Sequence, residues 1–279
     1  MAARAILVAL VVALIPVARI ASADPQSQPT LADAQHLFYT ARYPEAAALA
    51  MTLRAEHPED LTAFELRTSA LLFQVRRAIG DAKDKDAALK ACAPCADVMV
   101  AFQKDIVEAQ TIARARLAKD PKDNEALFFL GKIDLNHVWL HLGTLGKKTG
   151  WGEYWEGRKS LDAVLKLNPQ HVRARVARAW IDYIVDTKAP FGFKWILGGG
   201  SKKKGLAVMR EASAVTDAPF YVKAEAGFGL WDMLVREKNY KDAVVVARTL
   251  IRDFPDNKEL TTFLEQRGSR PEGVWPRVP

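Results

Sequence analysis

Two cysteines stand three residues apart, and their spacing could support redox chemistry. Cys92 and Cys95 flank Ala-Pro, and in an exported protein such a pair is expected to be oxidised to a disulfide. A thioredoxin-like role would require a strand before the pair, whereas residues 81–90 are polar with helical character. Haem attachment would require histidine directly after the second cysteine, where Ala96 stands. The pattern predicts a structural disulfide, with a redox or metal role as the alternative.

Two histidines, His137 and His141, are four residues apart and would share one face of a helix. Zinc proteases use this spacing with a glutamate after the first histidine, but Val-Trp-Leu separates the two here. The sequence offers no third ligand. It therefore predicts histidines within an ordinary helix and no metal site, with contact to a ligand as the alternative.

Two glycine-rich segments, 139–155 and 189–205, combine aromatic residues with lysines. Aromatic side chains between glycines are typical of an adaptable pocket, and N–H groups after a glycine run can bind an anion. For 189–205 the favoured interpretation is that the aromatic residues, Trp195 among them, pack under neighbouring helices, with anion or ligand binding as the alternative. No Walker A string is present. The candidate ligand-binding residues are Lys147, Lys148, Trp151, Tyr154, Trp155, Phe193, Trp195, Lys202 and Lys203.

The rest of the chain carries no recognisable catalytic motif, neither a G-x-S-x-G string nor a Cys–His nucleophile arrangement. Lys and Arg number 40 against 33 Asp and Glu, and the two signs alternate along most of the chain. Nucleic-acid binding is therefore not predicted. We expect a protein that is not an enzyme and uses no cofactor.

The amino terminus has the pattern of a secretory signal peptide. Arg4 precedes 13 residues, 5–17, that are almost all apolar, and Ala-Ser-Ala at 21–23 suits cleavage. A membrane anchor is the alternative, but a span needs about 20 apolar residues. We predict a signal peptide at 1–23, no stable membrane insertion after its removal, and a periplasmic location in a bacterium, with full secretion as the alternative.

Three segments of the chain share one spacing of aromatic, small and apolar residues before a proline, and a fourth, weaker segment has the same spacing with Ile106 and Arg116 in place of the aromatic and the last apolar residue. Steps of three and four residues return to one face of a helix, so these positions form a single stripe. The small residue lets a neighbouring helix approach, and the proline ends the helix. The four segments are Tyr43-x2-Ala46-x3-Ala50-x2-Leu53-x4-Pro58, Ile106-x2-Ala109-x3-Ala113-x2-Arg116-x4-Pro121, Tyr154-x2-Gly157-x3-Leu161-x2-Val164-x4-Pro169 and Tyr240-x2-Ala243-x3-Ala247-x2-Leu250-x4-Pro255.

This pattern resembles the tetratricopeptide (TPR) repeat. Counting a degenerate fifth segment that ends at Asp217, the successive ends lie 63, 48, 48 and 38 residues apart. The family's unit is about 34 residues, so the chain carries insertions that depart from regular stacking. The resemblance implies antiparallel helix pairs that stack and leave a long concave surface for binding.

The predicted fold is an all-α, TPR-like α-solenoid of about five antiparallel helix pairs in one domain, 24–267, followed by a disordered tail, 268–279. Its predicted function is an exported scaffold or adaptor that binds a protein or peptide in the concave face. The alternative is a small-molecule binding or transport-accessory protein that uses the two glycine-rich segments. The predicted pairs are 30–41 with 44–56, 60–79 with 97–118, 124–142 with 152–167, 171–186 with 202–215, and 219–236 with 240–253, before a closing helix at 257–266.

Overall fold

The computed structural model describes residues 29–189, 192 and 194–267. Within them the structure is helical, without a strand, which confirms the all-α prediction. A π-helix, Trp139–Thr144, continues α6. The α-helices are α1 Leu31–Tyr39, α2 Tyr43–Glu56, α3 Leu61–Ile79, α4 Lys85–Ala91, α5 Cys95–Lys119, α6 Asn124–Val138, α7 Trp151–Leu167, α8 Val172–Lys188, α9 Lys202–Ser213, α10 Phe220–Arg236, α11 Tyr240–Asp253 and α12 Lys258–Arg267.

The helix boundaries follow the sequence prediction, with two differences. The insertion before the cysteines forms a helix of its own, α4, whose first turn is capped by the Asp84 side chain. The helix predicted over 124–142 changes to π geometry at Trp139, in the segment that also contains the histidine pair. The turn that follows it uses Gly146 and Gly150 at positive φ.

Polar residues after the proline-containing turns cap the next helices. The Asp60 carboxylate accepts a hydrogen bond from the Thr62 N–H. Asn257 serves twice, because its Oδ1 accepts from the Leu260 N–H and its Nδ2 donates to the Tyr39 carbonyl oxygen at 2.7 Å. The second bond joins the last helix to the first.

The small residues of the repeated pattern lie in helix contacts. Ala46, Ala109 and Ala243 are fully buried. At Gly157 a Cβ atom would lie 2.9 Å from the Asp134 Cβ and 3.1 Å from the Gly131 carbonyl oxygen, so α7 meets α6 almost backbone to backbone. A larger residue at this position would force the two helices apart.

Helices that follow one another in the chain pack together, and the two ends of the array also meet. α1 contacts α10, and the Tyr39 hydroxyl donates to the Tyr221 carbonyl oxygen at 3.2 Å. Arg77 of α3 pairs with Glu259 of α12 at 2.7 Å. The sequence led us to expect a long open groove, whereas these contacts close the array on itself.

Two predictions concern residues outside the described ranges, namely the signal peptide at 1–23 and the disordered tail at 268–279. None of the helices described here combines the length and the apolar character that a membrane span requires.

Candidate functional site

Four charged side chains from four helices meet where the array closes. Lys132 of α6 lies 2.5 Å from Glu225 of α10 and 3.5 Å from Glu65 of α3. Arg173 of α8 pairs with the same two carboxylates, at 2.5 Å for Glu225 and 2.9 Å for Glu65. We call these four residues the inner cluster. Its formal charges cancel, so it joins four helices without a net charge.

The inner cluster is shielded from water, since each of its side chains is 15% exposed or less. Burial by itself lowers the pKa of Lys132, but the charges of Glu225 and Glu65 outweigh it and raise that pKa. Burial likewise opposes ionisation of Glu225, yet Arg173 and Lys132 hold its pKa well below the usual range. Lys132 and Glu225 therefore both carry charge at neutral pH.

Aromatic rings surround the inner cluster. The Arg173 guanidinium lies 5.0 Å from the centre of the Phe128 ring and 5.7 Å from that of Tyr221. Tyr39 stacks on Phe228 at 5.5 Å, and burial raises its pKa well above the ordinary value. The first helix thus brings an aromatic, uncharged side chain to the cluster. We call α1, α3, α6, α8 and α10 the inner helices, because their side chains meet here.

An open cavity of about 600 Å³ lies beside the cluster, at the amino-terminal ends of α6, α8 and α10. We call it the inner cavity. Its walls include aromatic rings and groups that can carry either charge. They are Phe128, Phe129, Tyr221, Pro219, Arg173, His171, Glu125 and Asp217.

The inner cavity has a neutral histidine at its wall. The His171 Nδ1 accepts a hydrogen bond from the Ala174 N–H at 3.1 Å, and its ring centre lies 4.6 Å from that of Phe128. Burial lowers the pKa of His171, which agrees with an unprotonated Nδ1. Glu125 accepts from Arg116 at 2.7 Å. These groups can hold apolar and polar side chains of a partner by shape and hydrogen bonding.

A second cavity of about 1030 Å³ lies where the two ends of the array meet. Its lining includes Ala41, Arg77, Trp231, Glu259 and Phe263. None of its lining residues belongs to the inner cluster.

The glycine-rich segments contribute to neither cavity, but the structure brings parts of them together on α7. The Tyr154 hydroxyl donates to the Leu197 carbonyl oxygen at 2.7 Å, and Trp155 packs edge-on against Tyr154 at 5.2 Å. Trp151 lies 6.4 Å from the Tyr154 ring but is 45% exposed. Trp195 is 76% exposed, so the prediction that it packs under neighbouring helices is wrong. Phe193 lies outside the described residues.

The candidate lysines occupy two separate places. Lys147 and Lys148 are exposed in the turn before α7. Lys202 begins α9, where its Nζ pairs with Glu237 at 2.6 Å and its N–H donates to Asp186. Lys203 is exposed on the same helix. A ligand site that uses all of the predicted residues stays a prediction.

The cysteine pair forms a disulfide, with Cα atoms 5.3 Å apart, which confirms the predicted bond between Cys92 and Cys95. It joins the end of α4 to the first residue of α5. Cys95 is buried, and the bond shapes the turn between the two helices. Its structural role, as opposed to a redox role, stays a prediction.

The histidine pair lies on one helical face, with ring centres 4.4 Å apart. Burial lowers the pKa of both His137 and His141. The His137 Nε2 lies 3.9 Å from a Glu153 oxygen, and in the described part of the chain no three His, Cys, Asp or Glu side chains are placed to hold a metal ion.

Sequence reasoning missed the inner cluster and a buried arginine, Arg158. The available signal was a charged residue within an otherwise apolar helix stripe, as for Glu65 in α3 and Lys132 in α6.

Comparison of the chain with protein-family models, curated proteins and solved structures finds no match.

Proposed function

We propose that the chain is a non-enzymatic, TPR-like scaffold, exported to the bacterial periplasm, that holds a segment of another protein at the inner cavity. The observation that carries the proposal is the cavity itself, which opens between three inner helices and combines aromatic walls with both signs of charge. Export rests on the amino-terminal sequence alone.

The repeat assignment draws support from the contacts of the small residues. Ala46, Ala109, Gly157 and Ala243 are all buried, each on the second helix of a predicted pair. Stacked pairs of this kind present their first helices to the inside of the array. These first helices are the inner helices, three of which line the inner cavity.

A peptide or protein segment suits the cavity better than an ion does. The floor contains Arg173, but Glu65 and Glu225 already compensate its charge. Recognition therefore depends on the rings of Phe128 and Tyr221 and on polar groups at the rim. Aromatic residues with a few placed polar groups are typical of protein-recognition sites.

A small molecule held by the glycine-rich segments has less support. The Tyr154 hydroxyl and the Arg158 guanidinium are already occupied by carbonyl oxygens of the loop near Leu197. Trp151 and Trp195 stand largely in solvent and enclose no described cavity.

Site-specific photocrosslinking tests the proposal. The amino acid p-benzoylphenylalanine replaces Tyr221 at the cavity wall in cells that export the chain. We expect one discrete adduct after irradiation, because a bound segment lies within reach of this ring. The matched control places the same amino acid at Val100, which is 71% exposed on α5 and away from the cavity.

A blocking variant, Ala218→Trp, tests whether the adduct comes from the cavity. Ala218 lines the cavity, so an indole there would fill the space that a partner needs. We expect the Tyr221-site adduct to disappear while the circular dichroism spectrum is unchanged. No adduct at the Tyr221 site, or adducts of equal yield at the Val100 site, would refute the proposal.

A further inference from the structure

The loop between α8 and α9 is held on α7 by a buried arginine. Arg158 is 8% exposed, and its guanidinium donates to the carbonyl oxygens of Leu197, Gly198 and Gly199 at 3.1, 2.5 and 3.3 Å. Gly198 has a φ of 77°, and a Cβ atom there would lie 2.9 Å from the guanidinium. These three hydrogen bonds and the close contact at Gly198 fix the position of the loop against α7.

This anchored loop presents large apolar side chains to solvent. Trp195 is 76% exposed and Ile196 is 45% exposed, directly before the residues that Arg158 holds. Trp151, 45% exposed, lies at the start of α7 with its ring 6.4 Å from that of Tyr154, which bonds the same loop. Tyr154 thus links Trp151 to the loop that carries Trp195 and Ile196. Exposed apolar side chains on such connected segments are typical of an interaction surface.

Lysines accompany these side chains. Lys147 and Lys148 are exposed directly before Trp151, and no salt bridge involves either of them in the described part of the chain. Three carboxylates lie on the neighbouring helices. Glu156 pairs with Arg114 and Asp186 pairs with Lys194, while Glu153, on the first turn of α7, lies 3.9 Å from the His137 Nε2. Among the described residues, Lys147 and Lys148 therefore form no ion pair, and their two positive charges exceed the single negative charge of Glu153.

We propose that the surface formed by Trp151, Trp195, Ile196, Lys147 and Lys148, here called the Trp–Lys surface, docks reversibly on an anionic lipid bilayer. Tryptophan prefers the headgroup region of a membrane, and lysines are attracted to anionic lipids. Lysine is depleted at protein–protein interfaces, so its place beside the two tryptophans favours a lipid partner over a protein. Docking of this kind needs no spanning helix.

Vesicle flotation of the full chain tests the proposal. Vesicles of phosphatidylcholine alone are compared with vesicles of equal parts phosphatidylcholine and phosphatidylglycerol. We expect binding to the anionic vesicles that weakens as salt is raised, because screening shortens the range of the lysine charges. Hydrogen–deuterium exchange locates the contact, and we expect slower exchange at 145–152 and 194–198 only with anionic vesicles.

Two variants separate the contributions. Lys147→Glu with Lys148→Glu should weaken the anionic-vesicle partition at least about 25-fold, since each lysine near such a surface contributes about fivefold. Trp195→Ser with Ile196→Ser should weaken it about tenfold or more. The matched charge control is Lys83→Glu with Lys104→Glu, two exposed lysines elsewhere. We expect this control to bind within twofold to threefold of the parent.

Other results would overturn the proposal. One is exchange protection confined to residues 1–28, which would assign vesicle binding to the apolar amino terminus. Another is equal weakening by the control and by the Lys147–Lys148 variant, which would show a net-charge effect. Equal binding to both vesicle types, or no binding by the folded parent, would likewise exclude an anionic-lipid surface.

Discussion

Removing one charge from the inner cluster should destabilise the protein strongly. Glu225→Gln leaves Lys132 and Arg173 facing a single carboxylate, that of Glu65, in a site where the side chains are at most 15% exposed. Loss of one partner from a buried ion pair costs about 3–5 kcal/mol, because the remaining charge is desolvated without compensation. We expect a loss of that size for Glu225→Gln, and a similar loss for Lys132→Met.

The double variant, Lys132→Met with Glu225→Gln, should recover part of the loss. It leaves Arg173 and Glu65 as a balanced pair at 2.9 Å. The two substitutions should therefore cost less together than the sum of the single losses, by about 1–3 kcal/mol. This coupling is the property that distinguishes one charge-balanced cluster from four independent contacts.

Urea unfolding, followed by circular dichroism at one pH and one salt concentration, measures these free energies. The matched control is Arg236 with Asp232, a more exposed pair one helical turn apart. Its coupling should not exceed about 0.5 kcal/mol. Additive losses for Lys132→Met and Glu225→Gln, or single losses below about 1 kcal/mol, would show that the inner cluster does not join the helices as we describe.

Three further variants test separate contacts. Gly157→Ala should lower the free energy of unfolding by about 1–3 kcal/mol. Its control is Gly152→Ala, where a Cβ atom meets open space, and this variant should not destabilise the protein. Thermal melting compares the two variants. Burial raises the pKa of Asp134 to about 8 from 3.8. The free energy of unfolding should therefore fall as pH rises across that range, by at most about 1.4 kcal/mol per pH unit. Asp134→Asn should remove this slope, which urea titrations at several pH values measure. Cys92→Ser with Cys95→Ser should cost at most about 2 kcal/mol and leave the helical circular dichroism intact.

The helices could be predicted from the sequence because their signals are local. The stripe from Tyr43 to Leu53 repeats within one helix, and Pro58 marks its end a few residues later. Asp60, two residues after Pro58, caps the next helix by accepting a hydrogen bond from the Thr62 N–H, which is another local contact. Such patterns depend on neighbours within two helical turns, so one sequence suffices to read them.

Closure of the array depends on pairs that are far apart in the chain. Glu65 and Arg173 are separated by 108 residues, and Tyr39 and Asn257 by 218. No periodicity links such positions. Only coordinates show that the successive helix contacts bring α1 to α10.

The glycine-rich segments show a different limit of prediction from sequence. From the sequence, Tyr154 and Trp195 were candidate ligand contacts, with packing predicted for the segment of Trp195, because an aromatic residue beside glycine suits packing and recognition equally well. In the structure, Tyr154 holds a loop and Trp195 stands in solvent. Arg158, which determines the position of that loop, resembles any other helix arginine in sequence, because its carbonyl partners lie about 40 residues away.

Closure also constrains how the protein can bind. A partner cannot run along the inner helices, because Lys132, Arg173 and their carboxylates occupy the centre and are already paired. Threading a segment through would first break those pairs, at the cost expected for Glu225→Gln. A partner at the inner cavity avoids that cost, since Phe128 and Tyr221 face it from the rim of the same cluster. Ala218→Trp should therefore abolish binding without lowering the free energy of unfolding. Glu225→Gln should lower the free energy of unfolding and weaken binding together.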